Sequence, residues 1–543
     1  MGEIRTKKNT ANQLVEALVD QDISHVFGIP GVHNIPLYEA ASTRAELTQV
    51  ICRHEQGAVF MADGFARSSG NLAAAFVTTG PGLTNALTGI AQAYSDSVPM
   101  AVVATEIATP FIGQKKGFIH EMADQIGMVK DITKESKQII DPDNSYADAY
   151  TTLQKSLEAP QKPVYLEYPI DVLEKESTTD KNFFQSIKSE FPVSVELIKV
   201  AAELLNKSKR PLIYVGGGIR EKEDTEALIT LAEIVGAPIV STVKGKGVVP
   251  NEHPLYAGVS WAREMMDSDI MQAADAALAI GTRLSARLKH GNYGNFTLPE
   301  NLIHIDPDSN ILENNFQTKV AIQGVASNTL NKIIELLIPF PERIEQGKKI
   351  VSVFKEKLDE EITSKAPDVK VAFDSIAKGF GDEVIYSVDN ATFGIWMARY
   401  FPINRTRSFL FPMAFGTLGY ALPAGIGAKM ANPDRPVVVV VGDGGFMFTS
   451  SELTVAVQKN LEITVILVND NCYGSVNYNQ RKKYGKTFAT ELTNPDFKKY
   501  AESFGCLYRY VDHPNELENA IQKIKDHQGV KFIELNGTFI DWY

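Results

Sequence analysis

Five consecutive valines, Val437 to Val441, run straight into Gly442-Asp443-Gly444-Gly445, and this junction restricts the fold more than any other stretch of the chain. A short β-branched run bounded by turn residues predicts a strand buried on both faces, the kind found in parallel sheets. Thr449 and Glu452 then have capping-box spacing, and Leu453, Ala456 and Val457 supply the apolar stripe of a helix. A second buried strand, Ile463 to Val468, stops at Asn469-Asp470-Asn471. Parallel strands joined by a crossover helix end on the same edge, so Asp443 and Asp470 project into one crevice. Two unpaired carboxylates there would repel each other. A divalent cation between them removes the repulsion, and oxygen ligands suit Mg²⁺. The glycines leave backbone N–H groups open to an anion. GDGG alone is also compatible with an ordinary tight turn, but the whole constellation predicts a metal-bound diphosphate.

The two aspartates, 27 residues apart, and the turn after the second resemble the diphosphate motif of the thiamine diphosphate enzymes. On that resemblance Asp443 and Asp470 hold Mg²⁺ by their side chains and Cys472 by its backbone carbonyl. Gly442, Gly444, Gly445, Tyr473 and Gly474 border the diphosphate. The family usually carries Asn where this chain has Asp470, which adds one negative charge to the site.

At 543 residues the chain exceeds one core, and domains of ordinary size predict about three. Hydrophobic residues at 44% and charged residues at 22% exclude a disordered chain. A net charge of −12 argues against a nucleic-acid footprint and for small-molecule chemistry. Cys52, Cys472 and Cys506 lack metal-ligand spacing and read as free thiols in a reducing compartment. There is no bilayer-length apolar run, and MGEIRTKKNTAN lacks a signal-peptide core, so a cytoplasmic protein away from membranes is expected. Gly2 with Thr6 matches a myristoylation pattern too degenerate to change that expectation.

In order along the chain, an α/β unit is expected first, within 1–173. A helix from Ala11 to Gln21 leads to a strand, Ser24 to Phe27, that breaks at Gly28-Ile29-Pro30-Gly31. A strand end at Val50 to Cys52 precedes Arg53-His54-Glu55-Gln56-Gly57-Ala58. By itself this is compatible with a charged helix start. The resemblance, here to the acetolactate synthase and pyruvate decarboxylase group, makes Glu55 the catalytic glutamate that bonds the pyrimidine ring of the cofactor and promotes its activation. Thr78 to Ala86 resembles the small-residue turn beside the cofactor, which brings Gly31, Pro81 and Asn85 against it. The loop Gly113 to Asp124 places His120 on the substrate side, where it handles protons, with His33 lining the same pocket. Acetolactate synthases typically have Gln near this His. GIPGVHN and HEMADQ are closer to members of the 5-guanidino-2-oxopentanoate decarboxylase type.

A polar linker, Glu174 to Lys188, precedes a central unit within 190–340. Pro211 to Gly218 reads as a strand into a glycine turn but is not GxGxxG, and Gly245-Lys246-Gly247 fails the same pattern, so an NAD site is not expected. Relatives hold FAD in this domain or nothing. Arg283 and Arg287 could face a flavin diphosphate, yet the stretch departs from the synthase pattern, and an empty central domain is favoured. A helical connector, Pro341 to Lys365, leads to the third unit, 366–543. Its first strand, Val384 to Val388, ends at Asp389-Asn390-Ala391-Thr392, whose polar groups line the diphosphate end. Gly416-Thr417-Leu418-Gly419 resembles the cofactor clamp: the Gly416 carbonyl accepts from the pyrimidine amino group, and Leu418 is core and wedge together. Ser475, Val476 and Asn479 fall on the substrate pocket.

The fold expected is therefore α/β, with three doubly wound parallel-sheet domains: pyrimidine-binding, central and diphosphate-binding. The resemblance implies non-oxidative decarboxylation of a 2-oxo acid through a C2 ylid and an enamine. Protonation of the enamine gives an aldehyde, which His120 favours. Attack on a second 2-oxo acid gives an acetolactate-type product, which Val476 favours, because pyruvate decarboxylases bear a Glu near that position. A non-catalytic thiamine diphosphate-binding protein and a flavin oxidase are the rival readings. The resemblance also implies a homodimer or homotetramer with sites between subunits.

Overall fold

The computed structural model describes residues 9–177, 192–285 and 296–540. Gly2, Thr6, Arg287 and most of the expected linker lie outside them. The first sheet contains β1 (His25–Gly28), β2 (Thr48–Ile51), β3 (Ala74–Val77), β4 (Ala101–Glu106), β5 (Glu135–Gln138) and β6 (Val164–Pro169), ordered β2-β1-β3-β4-β6-β5. The second contains β7 (Pro211–Val215), β8 (Ile239–Ser241), β9 (Tyr256–Val259), β10 (Ala276–Ile280), β11 (Asn301–Asp306) and β12 (Val320–Gln323), ordered β12-β11-β10-β7-β8-β9. The third contains β13 (Ile385–Val388), β14 (Phe409–Leu410), β15 (Val437–Gly442), β16 (Ile463–Asn469), β17 (Leu507–Val511) and β18 (Lys531–Asn536), ordered β14-β13-β15-β16-β18-β17. Every pairing in the three sheets is parallel.

The first and third sheets thus have one and the same topology, whereas the central sheet has the dinucleotide-fold order. In each, the strand order reverses at a point where two turns leave neighbouring strands. Those turns follow β1 and β3 in the first sheet and β13 and β15 in the third. The five valines lie 0–2% exposed, as a strand covered on both faces requires. Register pairs Val388 with Val440 and Gly442 with Val468, so the loops after β13, β15 and β16 emerge side by side.

The first and third units share one hydrophobic core. The helices Glu55–Ser69 and Ala421–Ala431 cross within it, contributing Phe60, Met61, Ala62, Ala424 and Ile426. Small residues let the two backbones meet: a Cβ at Gly64 would stand 2.0 Å from the Ala424 carbonyl oxygen, and one at Gly427 would stand 1.9 Å from that of Met61. The connector helix runs from Pro341 to Lys365 as expected. Among the described residues, no helix is long and apolar enough to cross a membrane. All three cysteines are free thiols.

One local expectation fails. The helix after β15 starts at Asp443 itself and ends at Thr449, so Thr449 and Glu452 form no capping box. The Thr449 hydroxyl donates instead to the Gly419 carbonyl (2.8 Å). Glu452, fully buried, accepts the backbone N–H groups of His54 (2.9 Å) and Arg53 (3.1 Å). Its charge is spent on another helix's start.

Candidate active site

At the carboxyl ends of β15 and β16, the carboxyl groups of Asp443 and Asp470 stand close enough to perturb each other. Burial raises both from the usual carboxylate range, and the Asp443 charge helps push Asp470 up to about 6. Asn494 donates its amide to Asp443 Oδ2 (2.6 Å) and reaches the side-chain oxygens of Asn469 and Asn471 (both 3.1 Å). Asp470 Oδ1 accepts the Cys472 N–H (3.2 Å). The surrounding glycines are closely packed. A Cβ at Gly474 would lie 2.6 Å from Thr392 Oγ1 and 2.7 Å from Asp470 Oδ2, and one at Gly442 would lie 3.0 Å from the Ala391 methyl. At Gly444 it would meet the Tyr473 ring at 2.7 Å, and at Gly445 the Asp389 carboxylate at 3.1 Å. Two converging carboxylates whose charges repel form a donor set that fits a hard divalent cation.

A second group gathers where the first sheet's order reverses. Glu55 is the first residue of its helix, with His54 as N-cap, and is 8% exposed. Its Oε2 accepts from the Asn85 amide (3.0 Å), and a Cβ at Gly82 would come within 3.5 Å of Oε1. Gly80 has φ +67°, and its N–H donates to Gln125 Oε1 (2.7 Å) just before Pro81 opens the helix Pro81–Asp96. Gln125 in turn donates to Thr105 O (2.8 Å) and to the buried Glu167 (2.9 Å). A Cβ at Gly31 would meet Thr78 Oγ1 at 3.0 Å. His33 Nδ1 bonds Thr79 Oγ1 (2.9 Å), His120 Nδ1 bonds Thr79 O (3.1 Å), and the two rings are 5.0 Å apart. A carbonyl oxygen only accepts, so His120 carries its proton on Nδ1 and, when neutral, keeps the lone pair of Nε2 free. Burial and then the neighbouring His120 lower the His33 pKa. Beside His120 in the loop, Glu121 accepts the N–H groups of Lys116, Gly117 and Phe118.

The segment Gly416 to Gly419 stands between these groups. Gly416 and Gly419 have φ of +76° and +75°. The Gly416 carbonyl accepts the Asn390 amide (3.0 Å), leaving it one further lone pair. Asp389, which burial pushes up to about 6, accepts the N–H groups of Asn390 and Ala421, and Thr417 Oγ1 donates to Gln92 (3.0 Å) of the first unit. Leu418 is half-buried, so within the single chain it is not a fully buried core residue. Ser475, Val476 and Asn479 lie on the helix Gly474–Tyr484, which has no buried residue; Val476 is 49% exposed. Among the described residues, no hydrogen bond or ion pair joins the Glu55 group to the Asp443 group. Asn494, Asn390, Thr79, Gln125 and Glu452 were not singled out as site residues by sequence reasoning. Each acts on a partner remote in the chain; Asn390, Thr79, Gln125 and Glu452 sit in stretches that drew notice, whereas Asn494 does not.

Comparison with known proteins follows the same division. Residues 8–128 match the thiamine pyrophosphate enzyme N-terminal TPP binding domain, 198–333 the central domain and 389–535 the C-terminal TPP binding domain. The chain is 34% identical to a probable 2-ketoarginine decarboxylase of Pseudomonas aeruginosa, over 97% of its own length and 94% of that protein's. It is 30% identical to a probable acetolactate synthase large subunit of Methanococcus aeolicus, covering 95% of this chain and 90% of the relative. It is also 30% identical to the acetolactate synthase isozyme 3 large subunit of Escherichia coli, covering 94% and 91%. With three matched domains, parallel sheets throughout and relatives aligned nearly end to end, the chain belongs to the thiamine pyrophosphate enzymes, in their group of 2-oxo acid decarboxylases and acetolactate synthases.

Proposed function

We propose that this enzyme decarboxylates a 2-oxo acid and releases the aldehyde, using Mg²⁺ with its thiamine diphosphate. The observation that carries this reading is the pairing of a buried, Asn85-bound Glu55 in one unit with converging aspartates in another. Thiamine diphosphate, when bound, supplies the nucleophilic carbon and the electron sink that let a 2-oxo acid lose CO₂. Asp443, Asp470 and the Cys472 carbonyl hold the metal, and Ala391, Thr392, Gly442, Gly444, Gly445, Tyr473 and Gly474 enclose the diphosphate. Glu55 holds a proton at the pyrimidine ring, near Gly31, Pro81 and Asn85. The remaining Gly416 lone pair would accept from the ring's amino group, and Leu418 would pack against the cofactor. His120, oriented by Thr79, would in its protonated form donate from Nε2 the proton that aldehyde release requires, with His33, Ser475, Val476 and Asn479 around it. The domains run 1–173, 190–340 and 366–543. The central one has no flavin role in this reading, and absorbance of the purified protein tests that.

A second reading, carboligation with another 2-oxo acid, is favoured by the apolar, exposed Val476 and by the acetolactate synthase relatives. Product analysis separates the two. Purified protein with thiamine diphosphate and Mg²⁺ is given a panel of 2-oxo acids that includes pyruvate and 2-ketoarginine, beside Glu55→Gln. CO₂ with aldehyde supports the first reading and CO₂ with a hydroxy acid the second. Equal traces from wild type and Glu55→Gln would remove both in favour of a non-catalytic protein.

We further infer a homodimer or homotetramer in which Glu55 of one subunit faces Asp443 of the next. Large apolar residues flank both groups in the open: Val32 at 82% exposure, Ile119 at 74%, Phe448 at 55% and Phe415 at 53%. Exposed apolar surface of this kind marks an interface. The free thiols agree with a cytoplasmic setting.

A further inference from the structure

A partly open cleft with a free volume of about 80 Å³ lies where the three units meet. Arg67 and Asp96 come to it from the first, Arg220, Lys244 and Lys246 from the second, and Arg407 from the third. Five basic side chains therefore line it against one acidic one. Asp96 is divided between Arg67 (2.9 Å) and Lys244 (3.5 Å), Arg67 is further paired with Asp63 (2.5 Å), and Arg407 has Glu221 (2.9 Å). Arg220 has no carboxylate within ion-pair distance among the described residues. Its guanidinium is held only by neutral oxygens, at Gly217 O (2.8 Å), Gln161 Oε1 (2.6 Å) and Ser97 O (2.7 Å), which leaves N–H donors over. Buried cations are ordinarily paired, and one left without a counter-charge beside a cleft lacks an anion. The other walls, Val98, Pro99, Ile219, Phe409 and Phe411, are apolar and offer contact to an organic body.

We propose that this three-domain cleft is a binding site for a phosphoryl group, gripped by Arg220, Lys244 and Arg407. A planar guanidinium matches phosphate bidentately, and a second arginine with a lysine completes a charge of the right size for a dianion. The site is separate from the Glu55 and Asp443 groups and is tied to the cofactor segment through Asp96, which accepts from Gln92 (2.7 Å) and from the Ala414 N–H (3.1 Å). Burial, and then the charges of Arg283, Arg67 and Arg220, bring Lys244 down to about 7 despite Asp96. An arriving dianion therefore raises its affinity for a proton.

Calorimetric titration of the holoenzyme, already saturated with thiamine diphosphate and Mg²⁺, tests this with phenyl phosphate and inorganic phosphate at pH 8. Binding is expected to take up protons, seen as a dependence of the heat on the buffer's ionisation enthalpy, and to weaken at least tenfold in Arg220→Gln. Tighter binding of phenyl phosphate assigns an organic phosphate, and equal affinity assigns phosphate itself; either supports the site. Because Arg220 also ties two units together, so that loss of binding in its variant could follow from misfolding, Lys244→Gln is the second test, expected to lose the proton uptake while keeping the fold. Absence of binding by either phosphate to the wild-type holoenzyme at millimolar concentration, or uptake unchanged in Lys244→Gln, overturns the proposal and leaves Arg220 as a strut.

Discussion

Glu55 and Asp470 are both carboxylates in a crevice, but the groups facing them differ, and so do the expected effects of neutralising them. Glu55 has one amide partner, Asn85, that a glutamine can keep by turning its carbonyl oxygen toward it. Glu55→Gln is therefore expected to fold normally and to lose about 10²- to 10⁴-fold in turnover, the span of a positioned acid or base. CO₂ release measured beside circular dichroism checks this, and a loss below tenfold would remove Glu55 from the chemistry. Asp470 instead faces Asp443. Its carboxyl rises from 3.8 to about 6, so the native state resists its ionisation. Metal-free stability from this group is complete below about pH 4 and lost as pH climbs through 6. Asp470→Asn should flatten that decline and raise metal-free stability above pH 6 by about 1–3 kcal/mol, while weakening Mg²⁺ binding. Thermal melts with and without chelator across pH 4–8 decide it; a metal-free variant that melts below wild type would show no repulsion to relieve. Both residues were legible because short motifs carry them. Asn494, 51 positions after Asp443, was not, since an asparagine in a loop has no local signal until the chain folds back onto the metal end.

At the scale of elements, the two crossing helices decide whether the crevice keeps its shape. Alanine in place of Gly427 gains up to about 1 kcal/mol of helix propensity. Its methyl, however, would stand 1.9 Å from a backbone oxygen of Met61, which cannot rotate away. Overpacking of this kind costs about 1–3 kcal/mol and occasionally more, so it prevails. Gly427→Ala should therefore lower the melting temperature and, because its helix follows the Gly416–Gly419 segment, weaken thiamine diphosphate binding. A higher melting temperature with unchanged cofactor affinity would mean the helices can part freely. The strands placed from the sequence, such as Val384 to Val388 and Ile463 to Val468, lie within one or two residues of those observed, because the valine run and the turn residues act locally. The capping box at Thr449 did not survive, because Glu452 finds stronger use at the start of the Glu55 helix. Spacing cannot show which of two helix starts a carboxylate will serve.

The whole molecule repeats one six-strand topology at its two ends, around a central sheet of dinucleotide-fold order. Three α/β units were legible from strand–turn–helix punctuation, whereas strand order was not, since register between distant strands leaves no local trace. Each end unit brings half of a site to the carboxyl edge of its sheet. The Glu55 half and the Asp443 half meet through no hydrogen bond or ion pair among the described residues, and exposed Val32, Ile119, Phe415 and Phe448 surround them. A twofold assembly would bury that surface and complete two sites at once. Mixing distinguishes this from a site closed within one chain. Glu55→Gln and Asp443→Asn should each be nearly inactive alone. After subunit exchange, about half of the dimers are mixed, and each of these holds one intact site and one doubly altered site. Activity should return to about a quarter of wild type. Sites closed within a chain would regain nothing, since every chain in the mixture lacks one half.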